Sequence, residues 1–268
     1  MAEKTVLMIG DVVGEAGMRA LEALLPGIIA RHGAAFVVVN GENAASGYGL
    51  TPPLAERIFA CGADVITSGN HIWEKRDFWP FLESEPRLLR PANYPADSAG
   101  RGVATVEKDG AAYTVINLQG RKYMGAIDCP FRCFDGIYAG LMQKPPVGGP
   151  PLILVDFHAE ATDEKEALGF YLDGRAACIA GTHTHIQSAD EKLLPRGSAY
   201  ISDLGMTGSL KSVIGMRAEL CVQRFTSHIQ SRLECAEENP AVQGAAVVVA
   251  TETARALAIT RINTPFRE

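Results

Sequence analysis

The stretch Val6-Leu7-Met8-Ile9-Gly10-Asp11 is an apolar run that stops at a glycine and a carboxylate. Uninterrupted apolar runs of this length are typical of parallel strands that are buried on both faces. The pattern returns twice, where residues 36–39 (FVVV) lead into Asn40-Gly41-Glu42-Asn43 and residues 64–67 (DVIT) lead into Ser68-Gly69-Asn70-His71. Each strand is therefore expected to pass into a loop that opens with glycine and a residue of a ligand-binding type.

Helical patterns lie between these strands. The first spans residues 18–29, with a kink or restart expected at Pro26, and the second runs from Pro52 to Gly62. Alternating strands and helices predict parallel strands joined by right-handed crossovers, so the three loops are expected at one edge of the sheet.

The remaining chain predicts more strands. Residues 101–107 and 111–117 flank Lys108-Asp109-Gly110, a hairpin signal, so the sheet is expected to turn antiparallel there. Further strands are expected at residues 152–157, 176–180, 245–251 and 256–262, the last two as an antiparallel pair.

Two segments carry less regular patterns. Residues 119–142 form a long excursion with a short helix, interpreted as a lid or as a contact in a homo-oligomer, and another helix is expected from about Arg217 to His228. The proline- and glycine-rich residues 144–151 are interpreted as a connector, because candidate ligands lie on both sides of them. Residues 1–268 are therefore predicted to form a single domain.

The composition limits the classes of partner. With 47% hydrophobic and 21% charged residues and no apolar run near 20 residues, a soluble globular protein without a membrane span is predicted. The first strand is too short for a signal-peptide core, so a cytoplasmic location is expected. A net charge of −6 without a Lys/Arg run argues against an extended nucleic-acid surface, whereas a small anionic substrate remains compatible if metal ions supply positive charge.

The six histidines divide by position. Four of them follow short apolar runs: His71, His158, His183 and His185. The other two, His32 and His228, lie in helical patterns. In an extended chain, residues i and i+2 point to the same side, so His183 and His185 are expected to converge on one ion. This placement predicts a site at one edge of a sheet, where open α/β folds bind ligands.

The strand ends together supply oxygen and nitrogen donors. The candidate ligands are Asp11, Glu42, Asn43, Asn70, His158, His183 and His185. Such a mixed set suits Fe, Mn or Zn better than Ca or Mg. Seven ligands are too many for one ion, but they fit two ions about 3.5 to 4 Å apart with a bridging carboxylate.

Taken singly, these residues also have structural interpretations. Asp11 could cap a helix, Glu42 and Asn43 could be loop residues, and His158 could be a buried structural histidine. Their joint occurrence at strand ends is what favours a metal site. Glu160 could orient a ligand or act as a first-turn acid of the following helix, and the helix role is preferred here.

Five segments in this order resemble the calcineurin-like metallophosphoesterase superfamily. They are Gly10-Asp11-Val12-Val13-Gly14, Asn40-Gly41-Glu42-Asn43-Ala44, Gly69-Asn70-His71-Ile72-Trp73, His158-Ala159-Glu160-Ala161-Thr162 and Gly181-Thr182-His183-Thr184-His185. More narrowly, the first four resemble the bacterial subfamily of di-iron phosphodiesterases that hydrolyse cyclic nucleotides. The resemblance covers about residues 5–262 and implies an α/β fold, a two-sheet mixed β-sandwich flanked by helices in four layers, with a dinuclear site at the strand ends.

The resemblance also implies a role for each residue. One ion would be held by Asp11, Glu42, Asn43 and His185. The other would be held by Glu42, Asn70, His158 and His183, with Glu42 as the bridge. Iron is the implied metal, with manganese or zinc as alternatives. Such a pair activates water for in-line attack on phosphorus, and His71 would protonate the departing oxygen.

The sequence departs from the broad superfamily at two positions. The usual Asp-x-His opening is Asp11-Val12-Val13 here, and Asn43 is expected to replace the missing imidazole. The usual bridging aspartate is Glu42. Both changes match the narrower subfamily, and they leave the identity of the metal open.

The chain is accordingly predicted to be a metal-dependent phosphodiesterase acting on 2′,3′- or 3′,5′-cyclic nucleotides. A phosphomonoesterase or nucleotidase with the same site is one alternative. A regulator that senses a nucleotide without turnover is another, although His71 beside Asn70 argues against it, because a binding protein needs no proton donor.

Overall fold

A computed structural model describes residues 2–146, 149–227 and 232–267. His228, at the end of one expected helix, and residues 147–148 of the expected connector lie outside these ranges. In chain order the elements are β1 (Glu3–Ile9), β2 (Asp11–Val12), α1 (Gly14–His32), β3 (Ala34–Asn40), α2 (Pro52–Ala60), β4 (Val65–Thr67), α3 (Trp79–Ser84), β5 (Val103–Lys108), β6 (Ala111–Gln119), α4 (Pro130–Gln143), β7 (Leu152–His158), α5 (Thr162–Leu172), β8 (Cys178–Thr182), β9 (Lys192–Leu193), β10 (Ala199–Ile201), β11 (Met206–Ser209), α6 (Ala218–Ser227), β12 (Pro240–Ala250) and β13 (Arg255–Pro265).

The first sheet has the strand order β2-β11-β12-β1-β3-β4, with β13 paired to β12. Strands β1, β3 and β4 are parallel, as the apolar runs predict, and their carboxyl ends lie at one edge. The closing pair β12 and β13 is antiparallel, also as predicted. Strand β12 runs antiparallel to β1 in the middle of the sheet, which the sequence pattern did not indicate.

The second sheet has the order β5-β6-β7-β8-β10-β9. The predicted hairpin is present between β5 and β6, and Asp109 and Gly110 have φ angles of 49° and 76°, as a tight two-residue turn requires. The sheet was expected to turn antiparallel at this hairpin. This expectation is wrong, because the hairpin begins the second sheet instead of continuing the first. Strands β6, β7, β8 and β10 then continue in parallel.

Three apolar layers hold the sheets and helices together. One lies between the first sheet and helices α1 and α2, with Leu21 and Ile58 fully buried. The second lies between the two sheets and includes the stacked rings of Phe36 and Tyr113. The third lies between the second sheet and helices α4 and α5. This order of helix, sheet, sheet and helix confirms the predicted four-layer α/β sandwich. Because both sheets share the middle layer, we propose that residues 1–268 form one domain.

Two expectations are corrected by the fold. Helix α1 runs through Pro26 without restarting, with Leu21, Leu25 and Ile28 on either side buried against the first sheet, so the expected restart is wrong and the expected kink stays a prediction. Within residues 119–142, helix α4 does not form a lid, since it packs Phe134 into the apolar layer on the outer face of the second sheet. Their role as a homo-oligomer contact stays a prediction. Within the described ranges, none of the helices is both long and apolar enough to cross a membrane.

Candidate active site

The carboxyl ends of β1, β3, β4, β7 and β8 meet at one rim of the sandwich. All seven residues predicted as ligands lie there: Asp11, Glu42, Asn43, Asn70, His158, His183 and His185. The side chains of Asp11, Glu42 and His158 are fully or almost fully buried. Distant parts of the sequence thus converge as the topology predicted, while the role of each residue as a ligand stays a prediction.

His158 lies at the centre of this cluster. Its Nε2 atom is 2.9 Å from Glu42 Oε1, 3.1 Å from Asn70 Oδ1 and 3.0 Å from His183 Nδ1. Ligand atoms that sit about 2.1 Å from one ion at right angles lie about 3 Å apart, so this spacing suits a shared cation. Glu42, His158 and His183 form a candidate metal-binding cluster, in which the possible ligand atoms lie within 4.8 Å of one another.

Gly69 packs closely against this cluster. A Cβ atom at Gly69 would lie 2.3 Å from His158 Nε2 and 2.5 Å from Glu42 Oε2, closer than side chains can approach. Glycine at this position therefore lets β4 bring Asn70 up to the imidazole.

Asp11 provides the clearest sign of a missing partner. Its Oδ2 atom accepts a hydrogen bond from the His183 backbone N–H at 3.2 Å. Oδ1 is buried without a hydrogen-bond partner among the described residues, and it lies 3.7 Å from His158 Nδ1. Burial raises the pKa of Asp11 to about 7, although His185 and His158 oppose the rise. A buried carboxylate oxygen without a donor is costly, and a cation would satisfy it.

Asn43 and His185 form a second pair of donors. The Asn43 amide donates to the Gly47 carbonyl at 2.8 Å, which turns its Oδ1 towards His185 Nε2 at 3.3 Å. His185 Nδ1 lies 2.9 Å from the Ile214 carbonyl, to which it donates, so Nε2 carries the free lone pair. Two lone pairs that face each other in this way fit a cation between them.

The two histidines of the 181–185 segment do not converge as the extended-chain argument expected. His183 and His185 have φ angles of 103° and 65°, so the chain there is not extended and the rings point to different neighbours. His183 contacts His158, while His185 contacts Asn43. Non-glycine residues at positive φ are strained, and such strain concentrates at functional sites.

The protonation of the cluster follows from its charges. Burial favours neutral His158, but the nearby carboxylates of Glu42, Asp11 and Asp156 together outweigh burial and raise the pKa of His158 to about 9. Burial likewise disfavours the Glu42 carboxylate, and His158 nevertheless lowers its pKa to about 2. Burial, together with the charge on His158, lowers the pKa of His183 to about 3, which keeps this imidazole neutral and able to bind a metal.

A buried polar network orients His158, and sequence reasoning missed it. His158 Nδ1 donates to Thr182 Oγ1 at 2.9 Å, and Thr182 donates to Asp156 Oδ1 at 2.7 Å. Asp156 also accepts from Asn40 and Thr67 of the first sheet, so it joins the two sheets beneath the site. The signal that could have revealed it is a carboxylate inside the apolar run of residues 152–157, where burial raises its pKa.

Glu160 is positioned to orient His183. Helix α5 begins at Thr162, so the preferred interpretation of Glu160 as a first-turn acid was wrong. Its Oε2 atom lies 3.1 Å from His183 Nε2, which leaves His183 Nδ1 directed at His158. Carboxylates that hold the far nitrogen of a metal-binding histidine are common partners in metal sites.

Replacing Glu160 with alanine is expected to weaken metal retention by about 10- to 100-fold, because His183 loses the group that fixes its ring. The measurement is metal content after dialysis against increasing concentrations of chelator. Asp163→Ala is the matched control, since this exposed carboxylate lies at the start of α5 and pairs with Lys122. Equal metal retention in the Glu160→Ala variant and this control would contradict the role.

His71 lies beside the cluster but outside it. Its backbone N–H donates to Glu42 Oε2 at 3.1 Å, while its ring meets Tyr48 edge-on with centroids 5.1 Å apart. His71 Nδ1 is 3.4 Å from Glu74 Oε1, and Nε2 makes no hydrogen bond to another described residue. The half-buried ring is therefore fixed next to the predicted ligands without being one of them.

A pocket of about 550 Å³ opens over the cluster, a size typical of small-molecule sites. Its polar side is formed by Glu42, Asn43, His71, Glu160, His183 and His185. Residues of the 213–216 turn and of α6 also line it. Four of the seven predicted ligands, Glu42, Asn43, His183 and His185, therefore face a space that a small substrate can enter.

Two packed sheets, outer helices and a cluster of carboxylate, amide and imidazole groups at the strand ends define the metallophosphoesterase class of protein. Within this class the chain belongs to the YmdB-like protein family, whose family model matches residues 7–262.

Individual relatives agree with this assignment. The chain is 41% identical over 257 residues to the 2′,3′-cyclic-nucleotide 2′-phosphodiesterase of Bacillus subtilis (strain 168), with 96% of each chain covered. Among solved structures, it is similar to a phosphatase of Mycoplasma pneumoniae, with a TM-score of 0.91, 30% identity, and coverage of 99% of this chain and 94% of that one. It is also similar to a hypothetical protein of Thermus thermophilus, with a TM-score of 0.88, 36% identity, and coverage of 98% of this chain and 100% of that one.

Proposed function

We propose that this protein is a dinuclear-metal phosphodiesterase that hydrolyses cyclic nucleotides, with 2′,3′-cyclic nucleotides as the first candidates. As a member of its family it is a hydrolase of phosphate esters. The observation that carries the finer proposal is the convergence of Glu42, Asn70 and His183 on His158 Nε2 at 2.9 to 3.1 Å. The name of the Bacillus subtilis relative supports the choice of substrate.

Two groups of residues would hold the ions. Asp11, Asn43 and His185 would serve one ion, Asn70, His158 and His183 the other, and Glu42 would bridge them. The Asp11 oxygen that accepts no hydrogen bond among the described residues and the facing lone pairs of Asn43 and His185 support this division. Bound metal would polarise the phosphate and lower the pKa of water, and iron is proposed ahead of manganese or zinc.

The chain's own residues would supply positioning and a proton. Asp156 and Thr182 hold the His158 ring, while Glu160 holds the His183 ring, so the ligands are arranged before substrate arrives. His71 would carry a proton on Nε2 and deliver it to the departing ribose oxygen, with its backbone held by Glu42.

A substrate panel tests the reaction. Metal-loaded protein is expected to hydrolyse adenosine 2′,3′-cyclic phosphate and bis-p-nitrophenyl phosphate. Hydrolysis of 3′,5′-cyclic AMP, measured in the same assay, shows whether 3′,5′-cyclic nucleotides are also substrates. Hydrolysis of p-nitrophenyl phosphate alone would favour a phosphomonoesterase or nucleotidase. Binding of the cyclic nucleotide without its consumption would favour a non-catalytic regulator.

Metal removal is expected to abolish activity, because the bound ions would both polarise the phosphate and lower the pKa of the attacking water. Elemental analysis of freshly purified protein should find two metal ions per chain, and dialysis against a chelator should remove both. Activity should then return on addition of Fe²⁺ or Mn²⁺ under reducing conditions. One ion per fully active chain would contradict the dinuclear site, and full activity without metal would contradict the proposed mechanism.

A further inference from the structure

Two chemically different groups of residues line the pocket over the predicted ligands. Besides the carboxylates and imidazoles, and with Arg224 as a further charged residue, the lining includes five apolar side chains: Val213, Ile214, Met216, Phe225 and Leu233. We call these five residues the apolar wall. A contiguous apolar surface next to a polar site marks a place where part of a ligand is bound.

The apolar wall has a fixed position relative to the predicted ligands. Val213 and Met216 exchange two backbone hydrogen bonds of 2.9 Å, closing a turn in which Ile214 and Gly215 both have positive φ. The Ile214 carbonyl at the tip of this turn accepts the hydrogen bond from His185 Nδ1. The turn that carries part of the wall is therefore joined directly to an imidazole of the cluster.

The backbone of Ile214, in the 213–216 turn, has an unfavourable conformation. Ile214 has a φ of 47°, which is a genuine outlier for a β-branched residue, and its side chain is half-exposed at the pocket. An apolar, strained and exposed residue is not explained by packing. Strain of this kind accumulates at ligand-binding positions.

Phe225 completes the wall from helix α6. Its side chain is 78% exposed, so it contributes little to the core, yet it lines the pocket. Val222 on the same helix is also largely exposed, at 57%, and it does not line this pocket. The helix thus carries one exposed apolar residue directed to the pocket and one outside it.

We propose that the apolar wall is the subsite for the nucleobase of the cyclic nucleotide. The inference rests on the proposed function, because it takes the phosphate to lie at the cluster. Of the two remaining parts of such a substrate, the ribose is polar and the base is a flat aromatic ring. The base is the part that matches an aromatic and aliphatic surface, and Phe225 would stack on it.

The test compares two substrates and two variants. Wild type, Phe225→Ala and Val222→Ala are assayed for kcat/KM with adenosine 2′,3′-cyclic phosphate and with 1-O-methylribose 2′,3′-cyclic phosphate, which lacks the base. Phe225→Ala is expected to lower kcat/KM for the adenosine substrate by about 5- to 150-fold, the range that the loss of base–aromatic stacking produces. The baseless substrate should be unaffected, and Val222→Ala should match wild type with both.

Binding of adenosine 3′-monophosphate, measured by calorimetry, provides a readout that does not depend on turnover. Phe225→Ala should weaken this binding by the same factor, and Val222→Ala should not change it. Equal losses for both substrates, or unchanged values in Phe225→Ala, would overturn the base subsite. If wild type hydrolyses neither substrate, the proposed reaction fails, whereas the calorimetric comparison still decides whether the wall binds a base.

Discussion

Replacing His71 with alanine is expected to lower the turnover of adenosine 2′,3′-cyclic phosphate by about 10²- to 10⁴-fold, the usual contribution of a general acid. Metal content should stay at the wild-type level, because His71 lies beside the candidate cluster and contacts Glu42 only through its backbone N–H. The measurements are steady-state kinetics and elemental analysis of the same preparation.

The leaving group provides a sharper version of this experiment. A ribose alkoxide needs a proton to depart, whereas p-nitrophenolate departs without one, so bis-p-nitrophenyl phosphate should be much less sensitive to loss of His71. His32→Ala is a suitable control, since His32 lies at the far end of α1. Full turnover of the cyclic nucleotide by His71→Ala would remove the proton-donor role, and equal losses on both substrates would indicate a positioning role instead.

Replacing Lys165 with methionine is expected to lower the free energy of unfolding by about 3 to 5 kcal/mol, because it leaves a buried carboxylate unpaired. Lys165 Nζ lies 2.7 Å from Asp203 Oδ2, and the two side chains are only 3% and 4% exposed. Asp203 also accepts hydrogen bonds from the backbone N–H and hydroxyl of Thr184, the residue between His183 and His185. Weaker metal retention should therefore accompany the loss of stability.

Lys192→Met is the matched control for this substitution. Lys192 pairs with Glu166 at a similar distance, 2.6 Å, but the side chains are 37% and 46% exposed, so the expected loss is only about 0 to 1 kcal/mol. Urea unfolding measures both variants. Removing the buried charge as well, in Lys165→Met with Asp203→Asn, should recover part of the stability. Similar losses for Lys165→Met and Lys192→Met would contradict a buried, tightly coupled pair.

The order of strands and polar loops along the chain is enough to predict the class of fold and the rim at which the candidate site lies. Short apolar runs ending in glycine and a polar residue define parallel strands, and parallel strands bring their carboxyl ends to one edge whatever the loops do. For this reason the grouping of Asp11, Glu42, Asn70 and His158 follows from the sequence alone. The segments in their order also carried the family resemblance, which the family match to residues 7–262 confirms.

Which atoms face one another becomes clear only in the folded chain. His183 and His185 contact different neighbours because of their unusual backbone angles. Asp156 orients His158 through Thr182, and Lys165 pairs with Asp203, so both contacts depend on residues from distant parts of the sequence. Local sequence patterns predict strands, helices and turns, but they do not predict how two sheets pack against each other. The apolar wall shows the same limit, because the strained turn at Ile214 and the exposed Phe225 become one surface only when the chain is folded.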